Sequence, residues 1–204
     1  MIITEIKPQI KNKERVNIYV NNKYYCSLTL KTVLVHKLKT GTEADESFLS
    51  KIQLESEKDY AFNKALNLLS RFRKTKAEIK EYLAENGFLE ETVNYVLEKL
   101  DEYKFINDKD IAVDFAKNSE KYGKRLIEYK LKRRGVSEGD IAEGVESIED
   151  ESERAVAVLT KYLKGKPDDY KTKTKAFKYL ISKGFDYETA KAALQRVGNE
   201  DYDG

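Results

Sequence analysis

The chain of 204 residues has one cysteine, one histidine, two prolines, ten glycines and no tryptophan. A single thiol, Cys26, excludes an intramolecular disulfide, and with only His36 beside it the Cys and His sets that hold structural zinc are excluded too. Cys26 follows Tyr24 and Tyr25 in a strand-like run and reads as a small packed hydrophobe. His36 lies among Val33, Leu34, Val35 and Leu38 and reads as a structural or surface residue rather than a general base. The phosphate-cradling patterns G-x-x-x-x-G-K-[ST] and G-x-G-x-x-G are missing, as is the nucleophile elbow G-x-S-x-G. No metal, cofactor or catalytic group is expected, and composition favours a binding protein over an enzyme. So few Pro and Gly cannot punctuate many short strands, so most of the chain should be helical. No stretch approaches ~18 consecutive apolar residues, and the opening residues lack the pattern of a secretory signal. The expectation is a cytoplasmic protein with no membrane contact.

Charge is what the sequence has in quantity: 36% of residues are Asp, Glu, Lys or Arg, yet the net is only +2. A net charge that small sets up no global field toward nucleic acid or an anionic membrane, so any attraction must come from local clustering.

The first 55 residues read differently from the rest, with period-two alternation in two of their segments. Ile2 to Ile6 and Val16 to Val20 read as strands, and Asn21-Asn22 before Tyr24-Tyr25 reads as a tight hairpin turn. Apolar residues at 30, 33, 34 and 38 then predict a helix over Leu28 to Leu38, and a further short helix is expected over Asp45 to Ile52.

From Glu57 onward the period is 3.6, and the segments resemble one another. Leu83, Leu131 and Leu180 each stand four residues before a glycine, at Gly87, Gly135 and Gly184. Eight residues before these glycines come Ile79, Ile127 and Ala176, six after come Val93, Ile141 and Ala190, and ten after come Leu97, Val145 and Leu194. This register defines three tandem repeats of about 48 residues, each with room for three helices. In the first, helix one should run from Lys58 to Phe72. Thr75 and Glu78 form a capping box opening helix two, Gly87 closes it, and helix three runs from Glu90 to Tyr103. Ser137 and Asp186 suit the N-cap slot two residues after their glycines, whereas Leu89 in the same slot cannot cap. The repeated Leu, Ile and Gly positions are packing and capping residues and carry no information on a partner.

The fold expected is therefore mainly α, with tandem three-helix repeats in a curved array after a small N-terminal sheet-and-helix unit. The expected boundaries are 1–55, 56–107, 108–149 and 150–198, with a frayed tail at 199–204.

The repeats sort charge by helix. Residues 117–134 carry eight bases against two acids, and residues 135–153 carry eight acids and no base. Residues 71–80 hold five bases to one acid, and 161–178 hold seven to two. Two readings stand. The basic helices present a surface for nucleic-acid phosphates or an acidic protein groove, or they pair with acidic neighbours and only solvate the fold. Tyr122, Tyr129, Tyr170 and Tyr179 are interleaved with the bases, as platforms for single strands would be, though Tyr at helical spacing also packs.

One run contains Arg71-Phe-Arg73-Lys-Thr75, Glu78-Ile79, Tyr82-Leu83, Gly87-Phe88, Leu97 to Leu100, Phe105 to Asp108 and Ala112. It continues through Tyr122-Gly123-Lys124, Ile127, Leu131, Arg134-Gly135-Val136 and Ile141. In order and spacing it resembles the bacterial RecX regulatory proteins, most closely over residues 57–148 and more weakly through Lys183-Gly184-Phe185. The resemblance implies a monomeric, noncatalytic protein that binds the RecA recombinase filament in its helical groove. It further implies inhibition of filament ATP hydrolysis, strand exchange and coprotease activity in DNA recombination, DNA repair and the SOS response, with direct binding of single- or double-stranded DNA. Arg71, Arg73 and Lys124 are then candidate contacts because they fall in the family pattern, and Arg125, Lys130, Arg133, Arg134, Lys173 and Lys175 because of local charge. Asp108 also falls in the pattern and reads as part of a helix start near Asn107. The alternative is a stand-alone nucleic-acid-binding helical module, which the acidic stretch after Gly135 disfavours by repelling duplex phosphates.

Overall fold

In a computed structural model the chain is described from residue 1 to 200, with side chains to residue 198; the expected tail therefore lies outside the described residues, apart from the backbone of 199 and 200. Three strands come first, β1 (Ile3–Pro8), β2 (Arg15–Val20) and β3 (Lys23–Thr29). They form an antiparallel sheet in that order, with Ile6 opposite Ile18 and Ile18 opposite Cys26. Asn21 and Asn22 turn the β2–β3 hairpin at φ 48° and 63°, the paired left-handed conformation that matches strand twist. Period-two alternation puts Ile3, Val16, Ile18, Val20, Cys26 and Leu28 on one buried face.

Thr29 ends β3 and caps α1 (Leu30–Val35), its hydroxyl accepting from the Thr32 amide. The strand thus takes Leu28 and Thr29 from the helix expected there, and Leu34, read as part of its buried stripe, is 74% exposed. Next comes α2 (Glu46–Leu69), one unbroken helix capped by Asp45 where two were expected. No Gly or Pro interrupts residues 46–69, so nothing ends a helix at Ile52. The expected boundary after residue 55 falls inside it. Its first half buries Leu49 and Ile52 under the sheet, and Ser56 is buried with its hydroxyl accepting from the Thr29 amide at 2.6 Å. Its second half buries Ala61 and Ala65, where small side chains let α4 approach closely.

The remaining helices are α3 (Lys76–Glu85), α4 (Glu90–Glu102), α5 (Asp108–Asn118), α6 (Lys124–Arg133), α7 (Glu138–Glu146), α8 (Glu151–Leu163), α9 (Tyr170–Ser182) and α10 (Tyr187–Glu200). The chain divides into two compact units, one of residues 1–73 and 79–105, the other of residues 74–78 and 106 onward.

The second unit holds two three-helix cores. In the first, Ala112 and Ala116 of α5 and Ile127 and Leu131 of α6 enclose Val136, Ile141, Val145 and Ile148. In the second, Ala155 and Leu159 of α8, Ala176 and Leu180 of α9, and Ala190 and Ala193 of α10 surround Phe185. The apolar residues at repeat register are therefore buried, apart from Leu194, which is half-buried. Capping follows the sequence as well: Ser137, Asp150, Asp169 and Asp186 each accept from an amide three residues on, and Leu89 caps with no side-chain bond.

Candidate interaction surface

One bonding pattern is seen twice in the second unit, each time between the C-terminal end of a repeat's second helix and the turn that opens the second helix of the repeat before it. Thr75, N-cap of α3, donates its hydroxyl to the Arg134 carbonyl at 2.7 Å. Gly123, N-cap of α6 and 48 residues later, donates its amide to the Lys183 carbonyl at 2.9 Å, and the Arg125 amide adds a bond to Gly184. In both cases an orphan carbonyl at a helix C-terminus is satisfied by the turn that opens another helix.

Glycine is required on the C-terminal side of each junction. Gly135 and Gly184 lie at φ 73° and 89°, and a Cβ on them would sit 2.3 Å from the Ala77 Cβ and 2.4 Å from the Leu126 backbone amide respectively. Acidic side chains complete the pattern. The Asp108 carboxylate accepts from the Lys76 amide at 3.0 Å, and the Glu151 carboxylate accepts from the Lys124 amide at 2.8 Å. Each is the first residue of its own helix, so one carboxylate faces two helix N-termini, where negative charge is favoured.

The capping box forms as expected: the Glu78 amide donates to the Thr75 hydroxyl and the Thr75 amide donates to the Glu78 carboxylate. That same carboxylate also receives Arg134 in a fork, Nε to Oε1 at 3.0 Å and Nη2 to Oε2 at 3.1 Å. Burial pushes Glu78 up, but the Arg134 guanidinium, the Thr75 amide and Lys74 outweigh it and hold the carboxyl below its ordinary range. Asp108 goes the other way: burial raises it, Asp140 adds to the rise, and the Lys76 amide opposes.

This geometry separates the candidate cations. Arg134 is committed to Glu78 and to the junction, so its charge is neutralised within the fold. Arg125 and Arg133 are exposed on α6, Arg133 over the Tyr129 ring at 6.0 Å. Lys124, whose amide is held by Glu151, and Lys130, whose ammonium stands 5.0 Å from the Tyr122 ring centre, are half-buried on the same helix. Lys173 and Lys175 are exposed on α9, with Lys173 paired to Asp168 at 2.8 Å. Arg71 and Arg73 are exposed in the segment after α2 and belong to the first unit. α6 and α9 thus bring their candidates together in one unit, and the two arginines after α2 stand in the other.

The other singled-out residues are accounted for by the fold. Cys26 is buried, and burial pushes its thiol up to about 11. His36 packs edge-on against Phe48 and lies 3.2 Å from the Glu55 carboxylate. No group of three His, Cys, Asp or Glu set to hold a metal ion occurs among the described residues, and no helix there is long and apolar enough to cross a membrane. Sequence reasoning missed Arg154, which donates to the Ala116 and Tyr122 carbonyls and so fixes the α5–α6 turn. It also missed the junction carboxylates, whose signal is an acid directly after an N-cap at both Asn107 and Asp150.

Comparisons with known proteins agree with this architecture. Family models described as the regulatory protein RecX N-terminal domain, the first RecX three-helix domain and the third RecX three-helix domain match residues 1–45, 61–100 and 149–194. A regulatory protein RecX of Clostridium perfringens (strain 13 / Type A) is 32% identical, covering 98% of this chain and 98% of its own. Another, of Clostridioides difficile (strain 630), is 33% identical over 99% of each chain. A crystal structure of a regulatory protein RecX shares the fold at TM-score 0.69 and 27% identity, covering 93% of this chain and 97% of that one. Identity of this level, sustained from the sheet through the last repeat, makes the chain a member of the RecX family of regulatory proteins.

Proposed function

We propose that this protein is a noncatalytic, cytoplasmic, monomeric regulator that binds the RecA recombinase filament on DNA and restrains its ATP hydrolysis, strand exchange and coprotease activity in recombination, repair and the SOS response. The observation that carries the reading is membership of a regulatory family along nearly the whole chain. The exposed side chains of Arg125 and Arg133 on α6 and Lys175 on α9 support it, because they present positive charge to an anionic partner. Arg71, Arg73, Lys124, Arg125, Lys130, Arg133, Lys173 and Lys175 are the proposed contacts; Arg134 acts instead by holding the junction. Binding alters filament behaviour only if the protein favours one filament state over another, so inhibition requires differential affinity for the two.

The test is a double charge reversal, Arg125→Glu with Arg133→Glu, which leaves the Arg134–Glu78 fork in place. Affinity for recombinase assembled on single-stranded DNA should fall at least tenfold with circular dichroism unchanged; unchanged affinity refutes the basic-face assignment. A stand-alone DNA-binding module would instead bind equally well with and without recombinase. Its log affinity would fall with log salt at a slope near −0.9 per phosphate neutralised.

A further inference from the structure

Beside the α5–α6 turn the second unit opens a cavity of about 980 Å³ whose walls come from the end of α5, from the turn, and from α8 and α9. Its walls combine two chemistries. Tyr162 and Tyr179 stack with ring centres 4.3 Å apart and planes 19° from parallel, and Tyr122 completes the aromatic side. Lys117, Lys121 and Lys161 line the rest, all exposed and without an ion pair among the described residues. Further ammonium groups lie over the rings: Lys130 and Lys183 at 5.0 and 6.0 Å from Tyr122, and Lys166 at 3.1 Å from Tyr162. Of the two lining acids, Glu153 is tied to Arg196 at 2.8 Å, which leaves Glu120 as the one set against the lysines. Arg154 is spent on two backbone carbonyls and serves to hold the turn that carries Tyr122.

We infer that this cavity binds an unpaired nucleotide of a single nucleic-acid strand, its base on the tyrosine platform and its flanking phosphates on Lys117, Lys121 and Lys161. An acidic peptide would use the lysines and leave the π-faces idle, whereas a nucleobase uses both. A duplex keeps its bases stacked inside and offers the rings nothing. The volume, near the top of the range of about 300–1,000 Å³ for small-molecule pockets, admits a base with its sugar and phosphate. Tyr122, Tyr162 and Tyr179 all line the cavity, so a base that enters it meets aromatic surface. What this adds to the direct DNA binding that the family resemblance implies is its site and its preference for an unpaired base, and the protein alone should show both.

The experiment measures anisotropy of a labelled oligothymidylate titrated with the full chain, across salt concentrations and without recombinase. Tyr162→Leu should weaken binding roughly five- to 150-fold, the range for one lost base stack, while Tyr162→Phe, which keeps the ring, binds as the parent does. Lys117→Glu with Lys121→Glu should lower the salt slope by about 1 for each phosphate no longer neutralised. Duplex of the same length should be nearly indifferent to Tyr162→Leu. Equal binding by the Leu and Phe variants, whether both strong or both weak with the helical content intact, overturns the platform. Displacement of the oligonucleotide by free thymidine monophosphate or ATP at concentrations where orthophosphate has no effect overturns the strand as occupant and assigns a free nucleotide. Loss of this binding with filament inhibition retained would remove the cavity and leave the regulator reading standing.

Discussion

Replacing Gly123 by alanine is the sharpest perturbation of the α6–α9 junction. Gly123 has φ −77° and ψ 166°, extended backbone that alanine adopts freely, so the substitution brings no conformational strain of its own. Its whole cost is steric: an added Cβ would lie 2.4 Å from the Phe185 amide nitrogen and 2.5 Å from the Gly184 carbonyl carbon and oxygen, all backbone atoms with no rotamer to yield. Relief requires α6 to withdraw from the end of α9, which breaks the bonds from Gly123 to Lys183 and from Arg125 to Gly184. Two hydrogen bonds at about 0.5–1.5 kcal/mol each, plus an overpacking cost of about 1–3 kcal/mol, give a destabilisation of about 2–6 kcal/mol. Gly139→Ala is the control. It lies in the first turn of α7 with its nearest neighbour, the Ser137 hydroxyl, at 3.9 Å, and there the same methyl should stabilise by up to about 1 kcal/mol. Gly144→Ala should fall between, because its Cβ would meet Ala112 at 2.9–3.0 Å. Urea unfolding followed by circular dichroism ranks the three, and hydrogen exchange on peptides spanning 123–131 and 180–185 localises the effect. A Gly123→Ala protein that melts within about 0.5 kcal/mol of the parent, with exchange protection retained there, refutes the junction.

Leu131→Ala should cost about 2–5 kcal/mol in the same assay, since Leu131 is fully buried between α5 and α7. The Glu78 carboxyl is held below its ordinary value of 4.5, so it contributes stability that is present above that value and lost as pH falls through the folded one. Glu78→Gln should therefore show a flatter acid limb than the parent in urea midpoints taken from neutral pH downward. Asp108→Asn keeps the acceptor for the Lys76 amide and removes a charge that burial disfavours, so its stability at neutral pH should match or exceed the parent, while Asp108→Ala should lose about 1 kcal/mol by calorimetry. The buried Cys26 thiol, raised to about 11, should react with a disulfide reagent at neutral pH far more slowly in the native protein than in urea; equal rates would contradict its burial.

What the sequence made legible were features with a short physical range. The Asn21-Asn22 turn, the Thr75/Glu78 box, the Ser137 and Asp186 caps, the missing cap at Leu89 and the left-handed glycines are each decided within four residues, and each was readable for that reason. The repeat register was legible because Ile127, Leu131 and their counterparts are buried wherever the pattern recurs. Two apolar clusters with charge between them looked like two helices, but continuous α2 needs only the absence of a breaker between Ile52 and Lys58. Leu34 fitted a helical stripe, yet α1 ends one residue later and turns that side outward. The site was less legible because its charges are sorted by contacts far apart in sequence. Nothing local distinguishes Arg133, exposed beside Tyr129, from Arg134, forked onto a carboxylate 56 positions away. The cavity tyrosines show the same limit: Tyr122 and Tyr179 stood out by their basic neighbours, but only the fold brings Tyr162 against Tyr179.

The central claim is most directly tested by recombinase ATP hydrolysis on single-stranded DNA, titrated with this protein while DNA is kept in excess. A filament regulator predicts inhibition at well below one copy per recombinase subunit, weakened by Arg125→Glu with Arg133→Glu. Hydrolysis that stays unchanged while salt-sensitive DNA binding persists would contradict the account and leave a nucleic-acid-binding module on a RecX fold.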